Sequence, residues 1–338
     1  MKNLPISSTP GDEGKKLLLL TLLALGSVVL SLCVGSVAVS PGEVLSVLTG
    51  GLTEGTSYTI VRFSRLPRTL GCVLAGCALA VSGAVIQSVL ANPLAAPNII
   101  GVNSGAGLMV ALSCALFPAS AAATPVMAFL GALAGVMLVL FLAERTGAAR
   151  ITLVLAGVAV SSMFGAGIDA VVTFVPEALN GYSDFRIGGM ANLTMERLAP
   201  AGSMMLLALM GVLLLSGELD VLMLGGDTAQ SLGLNVRKVR LILLTLAAAL
   251  AGSAVSFCGL LGFVGLIVPH IMRRLVGEES RPLLLGCALG GAALLTVCDV
   301  AARTIFAPYV LPVGIVLSLL GGPFFLWLLL RQRGGRSG

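Results

Sequence analysis

Hydrocarbon offers no hydrogen-bond partner for a backbone amide or carbonyl. A chain built from long uninterrupted apolar runs is therefore restricted to a helical bundle or a closed barrel. Ten such runs can be drawn here, roughly 17–39, 69–90, 99–117, 124–143, 151–174, 198–216, 241–258, 260–275, 282–302 and 311–330. Most approach the roughly 20 residues that a helix needs to cross a bilayer, twice what a barrel strand uses. The eighth is short and Gly-rich. Only 10% of the 338 residues are charged, against about 25% in soluble domains, and the mean hydropathy is +1.05. The expected fold is an all-α membrane protein, a polytopic bundle of about ten transmembrane helices forming one domain over 1–338. The first run follows Lys15 and Lys16 like a signal segment. It is longer than a signal core and many runs follow, so it reads as an uncleaved first span.

The net charge of +5 admits a nucleic-acid partner, but the basic residues are scattered between apolar runs. With both termini inside the cell, 14 of the 20 Lys and Arg fall on cytoplasmic segments. Six fall outside: Arg62, Arg65, Arg68, Arg186, Arg197 and Arg303. That asymmetry sets the orientation and accounts for the charge without nucleic acid. Seven cysteines lie in apolar stretches without a CxxC pair and read as small buried residues. One histidine, His270, excludes a multi-histidine metal site and reads as structural. No metal site is expected.

The longest polar interruption is Gly217 to Arg240, with residues 218–240 as its working part. Gly225 and Gly226 break the chain, and Asp227 and Thr228 are placed to cap a short helix over Ala229–Leu232. Gly233 is suited to end it in the left-handed conformation. A solvated loop is the plain alternative, but a capped helix is more than a connector needs.

Between the second and third runs, Gln87 precedes Asn92-Pro93-Leu94 and Pro97-Asn98, and the third run opens with Asn103 and Ser104. Two prolines four residues apart impose an extended turn. The amides and hydroxyls must bond across helices or line water, and spacing favours the first. Asp299 stands four residues before Arg303, the favourable order for a helix pair, whereas Asp169 has no local partner. Glycines at 101/105, 131/135 and 286/290 suit close helix packing. No nucleophile–base arrangement and no phosphate-binding GxxxxGK[ST] loop is present, so no catalytic residue is assigned. Pro67 suits the first turn of the second helix, which places Arg68 against the helix dipole. Something negative must then approach from outside.

Arg65-Leu-Pro-Arg68 and the stretch Leu74 to Gly107 resemble the FecCD family of ABC importer permeases. The likeness continues through LGGDTAQSLGLNVRKVR, Gly262–Gly277, Cys298–Arg303 and Leu311–Leu329. It departs at Gly147–Thr152, where Arg150 and Ile151 replace the small polar gate residues of some relatives. The resemblance implies a permease of a bacterial cytoplasmic-membrane importer for iron–siderophore, with haem or cobalamin as alternatives. It implies a second permease subunit, two cytoplasmic ATP-binding subunits carrying ATP and Mg, and a periplasmic or lipid-anchored binding protein; this chain holds no cofactor. Arg65, Arg68 and Arg303 would meet acidic residues of the binding protein. Gly226, Asp227, Ala229, Leu232 and Gly233 would couple to the ATPase. Gln87, Asn92, Pro93, Leu94, Asn103 and Ser104 would belong to the path, with 92–94 at its inner constriction. The competing reading is an ion-coupled secondary transporter using Asp169 or Asp299.

Overall fold

The computed structural model describes residues 10–118, 120, 122–145, 150–191 and 193–333, and within them every regular element is helical. The first span, α1 (Pro10–Cys33), is followed by two short helices, α2 (Pro41–Leu48) and α3 (Thr56–Thr59). A π-helical turn, Ile60–Arg65, then leads without a break into α4 (Leu66–Leu90). A 3-10 turn, Pro97–Ile100, precedes α5 (Val102–Leu116), α6 (Ala123–Arg145), α7 (Arg150–Phe174) and the short α8 (Ala178–Ile187). Next come α9 (Met195–Leu214), the short α10 (Ser216–Met223) and α11 (Gly226–Ser231), and α12 (Val236–Cys258). The chain continues through α13 (Val264–Val276) and α14 (Ser280–Thr304) to α15 (Val313–Arg333).

Seven described helices are long and apolar enough to cross a membrane: α1, the continuous Thr56–Leu90 helix, α6, α7, α9, α12 and α14. The other three expected runs give shorter helices. The run at 99–117 spends its first residues in the 3-10 turn and at Gly101, where φ is +88°. The run at 260–275 opens with irregular backbone, so α13 has only 13 residues. The apolar stretch of α15, Val313–Leu328, is also shorter. Residues 1–9 and 334–338, and therefore both termini, lie outside the described residues, as do 146–149, which take in the start of the divergent Gly147–Thr152 stretch.

Helix α4 is the central post. Nearly every side chain from Thr69 to Leu90 is buried, whichever way it points, the signature of a helix surrounded by others. It packs on α1, α9, α12, α13 and α14, while α5 pairs with α6 and α7. Lipid supplies no hydrophobic drive between helices, so close approach comes from small residues. A methyl on Gly83 would meet the carbonyl of Gly265 in α13, and one on Gly76 would meet that of Gly291 in α14. The pairs Gly101/Gly105 and Gly131/Gly135 face each other across α5 and α6. All seven cysteines are free.

The turn after α1 is also built. Ser40 and Glu43 form a capping box on α2, and Ser57 donates to the same carboxylate at 3.0 Å. The Ser40 amide, with the Ser40 and Ser57 hydroxyls after it, holds the Glu43 carboxyl below its ordinary range.

Candidate functional site: two mouths and a short helix

Of the six arginines expected outside, the three assigned to docking are largely inside the protein: Arg65 and Arg303 are buried and Arg68 is mostly so. Arg65 is 4% exposed, and its guanidinium donates to the carbonyls of Leu32 and Cys33 at 2.7 Å and also to that of Val37. Leu32 and Cys33 close α1, whose last carbonyls have no helical partner and lie at the negative end of its dipole. Arg65 is the cap of α1, and Gly35 passes against its guanidinium where a side chain would crowd it.

Arg68 grips Asp299 with Nε at 3.0 and 3.1 Å and Nη2 at 2.9 Å. The same carboxylate, 0% exposed, pairs with Arg303 Nε at 3.1 Å, the i,i+4 pair read from spacing. Arg303 further donates to the Ser31 carbonyl at 3.2 Å and hydroxyl at 2.8 Å, and the Ser31 hydroxyl pairs with Thr69 at 2.7 Å. This network ties α1, α4 and α14 together. The anion that Arg68 requires therefore belongs to this chain. The dipole argument also falls, because Arg68 lies inside the continuous Thr56–Leu90 helix. Pro67 has no amide to give, and the π-turn immediately before it absorbs the missing bond. Arg65 and Arg303 are not free rim charges; only Arg68 reaches a cavity.

That cavity, about 520 Å³, opens beside Arg68 and Arg197 and is walled by the ends of α8, α12 and the start of α15. Backbone hydrogen bonds hold its walls: Gly189 N–H to Cys258 O (2.8 Å), Leu260 N–H to Phe185 O (2.9 Å) and Gly314 N–H to Gly188 O (3.3 Å).

At the opposite end of α4, Ala91 turns left-handed (φ 45°) and Asn92 Oδ1 accepts from Leu94 N–H at 3.0 Å, so an Asx turn ends the helix before Pro93. Leu94 and Asn103 line a cavity of about 330 Å³ with Asn98, Phe263 and Phe325. Gln87 is not in it. Its side chain is 2% exposed, donates to Gly265 O at 3.1 Å and accepts from Arg273, joining α4 to α13. Ser104 bonds Ser161 on α7 at 3.1 Å. These two polar residues are therefore interhelix ties, while Leu94 and Asn103 share the cavity. His270 packs edge-on against Phe324, ring centroids 5.8 Å apart. Asp169 is exposed on α7.

The polar interruption folds as α10, α11 and the first turn of α12. Gly225, at φ +109°, is the N-cap residue of α11, with no side chain bonding there. Asp227 and Thr228 thus stand inside the helix and not at its cap, with Asp227 favourably placed in the first turn. The helix ends one residue earlier than expected, and Gly233 (φ +87°) closes it. Leu234 N–H bonds Ala229 O and Gly233 N–H bonds Gln230 O, a Schellman closure. Asn235 then caps α12 through Lys238 N–H at 3.0 Å. Ala229 is 0% exposed and Leu232 is 64% exposed. Two of the residues expected to couple to the ATPase thus differ: Ala229 is turned into its own chain, and Leu232 stands exposed.

The described residues form a bundle of apolar helices with a cavity at each end of its central helix. Residues 21–331 match the model of the FecCD transport family. The chain is 40% identical over 333 residues to the hemin transport system permease protein HmuU of Yersinia pestis, covering 96% of this chain and 97% of that one. It is 35% identical to the Fe(3+)-citrate import system permease protein YfmE of Bacillus subtilis (strain 168), over 96% and 98% of the two chains. It superposes with a TM-score of 0.84 and 29% identity on an inward-facing ABC transporter assigned to the metal-chelate type, covering 94% of this chain and 99% of that one. The chain belongs to the FecCD transport family and is an ABC importer permease, a transport subunit and not an enzyme.

Proposed function

We propose that this subunit is one half of the membrane pathway of an importer for a bulky iron chelate, an iron–siderophore or haem. It crosses the bacterial cytoplasmic membrane ten times, α5, α13 and α15 adding to the seven long helices, with both termini inside. A second permease, identical or closely related, completes the path. Two cytoplasmic ATP-binding subunits drive it, and a periplasmic or lipid-anchored binding protein feeds it. The reported relatives are named for hemin and Fe(3+)-citrate, which favours an iron chelate over cobalamin. Leu94 and Asn103 form the inner mouth, with Asn92 and Pro93 setting the turn that carries them. Arg68, facing the outer cavity, is the contact offered to the binding protein; Arg65 and Arg303 hold the frame behind it.

The observation that carries the reading is α11. Buried Ala229 and the Schellman closure fix it, and Leu224 and Leu232 stand exposed at its two ends. A rigid protrusion with exposed leucines in a polar segment calls for an apolar partner surface, which a groove on the ATPase would supply. A secondary transporter leaves this helix idle, and Asp299 is already held by two arginines. Leu232→Asp would place a charge in that contact, where it has no partner. The variant should insert and fold normally yet lose co-purification with the ATPase. Retained ATPase binding and chelate uptake would remove the coupling role. Ala229→Asp is the contrasting control, because it should destabilise the subunit itself.

A further inference from the structure

Glu144 and Arg237 stand at the wrong ends of their own helices. Glu144 lies in the last turn of α6 and Arg237 in the first turn of α12, where a carboxylate and a cation each oppose the helix dipole. Local helix stability explains neither charge. The two answer each other: Arg237 Nε donates to Glu144 Oε1 at 2.9 Å and Nη2 donates to Oε2 at 2.8 Å. Such a two-pronged fork fixes direction as well as distance. The side chains are 72% and 30% exposed, so water and salt leave the pair little part in holding the fold.

The pair joins two bodies that a cavity keeps apart. Gly233 and Leu234 N–H bond back to carbonyls of α11, and Asn235 caps α12, so α11 and the start of α12 form one rigid corner. Beneath the corner lies a cavity of about 480 Å³, walled by Leu140 of α6, Leu153 of α7, and Leu234, Val236 and Leu241. Apolar packing therefore does not fill the space between the corner and the inner end of α6; Glu144 and Arg237, which also line the cavity, reach across it. Helix α6 is in turn locked to α5. A methyl on Gly105 would meet the Gly131 carbonyl, and one on Gly135 would meet that of Gly101, so the backbones touch and a displaced α6 takes α5 with it. Helix α5 carries Asn103, which lines the cavity shared with Leu94.

We propose that the Glu144–Arg237 pair is the strut through which α11 moves the inner mouth. A displacement of α11 shifts the corner, the fork draws the end of α6 with it, and α5 carries Asn103. The cavity gives the corner room to move. Both are positioning residues, which touch neither chelate nor nucleotide, and their role rests on the ATP-driven reading above.

The test uses the whole complex, permease with ATPase and binding protein, in proteoliposomes. It reads radioactive ferric citrate or haem, whichever the wild type imports, per ATP hydrolysed. Glu144→Gln and Arg237→Gln should each lower that ratio about threefold to tenfold, while ATPase co-purification and the unfolding midpoint of the permease keep their wild-type values. The double variant should be no worse than either single, because a broken strut cannot break twice. An unchanged ratio in the single variants overturns the strut. So do losses that multiply in the double variant, which would give the two residues separate roles. Lost ATPase association or a lowered midpoint in either single variant overturns it as well, by making the pair part of assembly or of the fold. A wild type that imports neither probe with ATP overturns the transport reading itself, and the strut with it.

Discussion

Replacing Asp299 by Asn removes one charge and leaves the shape of the side chain. The carboxylate is wholly buried and receives three contacts of 2.9–3.1 Å from Arg68 and one of 3.1 Å from Arg303. Those guanidiniums are themselves mostly out of solvent, their side chains 14% and 8% exposed. Asparagine keeps one acceptor oxygen and turns an amino group toward two cations. Taking one partner from a buried ion pair costs about 3–5 kcal/mol. Arg68 can recover some hydration through the cavity beside it, so the lower half of that range is expected. The free energy of unfolding should be measured by denaturing-detergent titration in mixed micelles. Adding Arg68→Met to Asp299→Asn should restore part of the loss, with a coupling energy of about 1–3 kcal/mol, because one stranded cation is removed. A loss below about 1 kcal/mol, the range of an exposed ion pair, would refute the reading of Asp299 as the buried counter-charge of the outer frame. Strict additivity of the two changes would refute it equally.

Gly83→Ala should prevent stable folding of the subunit, seen as loss of the monodisperse peak in size-exclusion of the detergent extract. The new methyl meets a backbone carbonyl of α13 that no side-chain rotation can move. Gln87→Leu should lower stability by about 1–3 kcal/mol, because the Gly265 carbonyl loses its side-chain donor and the Arg273 guanidinium keeps only its 3.4 Å bond to the Ser88 hydroxyl. Its chelate specificity should be unchanged; altered specificity in transport assays would return Gln87 to the path.

Composition and run length made the membrane bundle legible, because a span leaves a signal about 20 residues long that no other part of the chain obscures. The glycine pairs at 101/105 and 131/135 were legible as packing for a similar reason: their spacing belongs to one helix face. The capping box at Ser40 and Glu43 was also present in the sequence, as S-x-x-E ahead of Val44, and marks α2 within what reads as a connector. Other features were beyond local reading. Ile99 and Ile100 of the 3-10 turn are as apolar as the helix that follows, so hydropathy joins them to it. The anion of Arg68, expected from outside, is Asp299 of the same chain; it is 231 residues away in sequence and no local rule brings the two together. Ala229 and Leu232 differ in burial because α11 is only six residues long; its orientation is fixed by the glycine at each end and not by periodicity.

The central claim is that ATP hydrolysed on a partner subunit drives a chelate through this permease. The direct measurement is uptake of radioactive iron, presented as a siderophore complex or as haem, into proteoliposomes containing this chain with its partner ATPase. The binding protein is supplied outside and nucleotide is enclosed. Accumulation should require both ATP and the binding protein, and should stop with a non-hydrolysable nucleotide. Uptake by the permease alone, driven by an imposed proton gradient and indifferent to ATP, would contradict it.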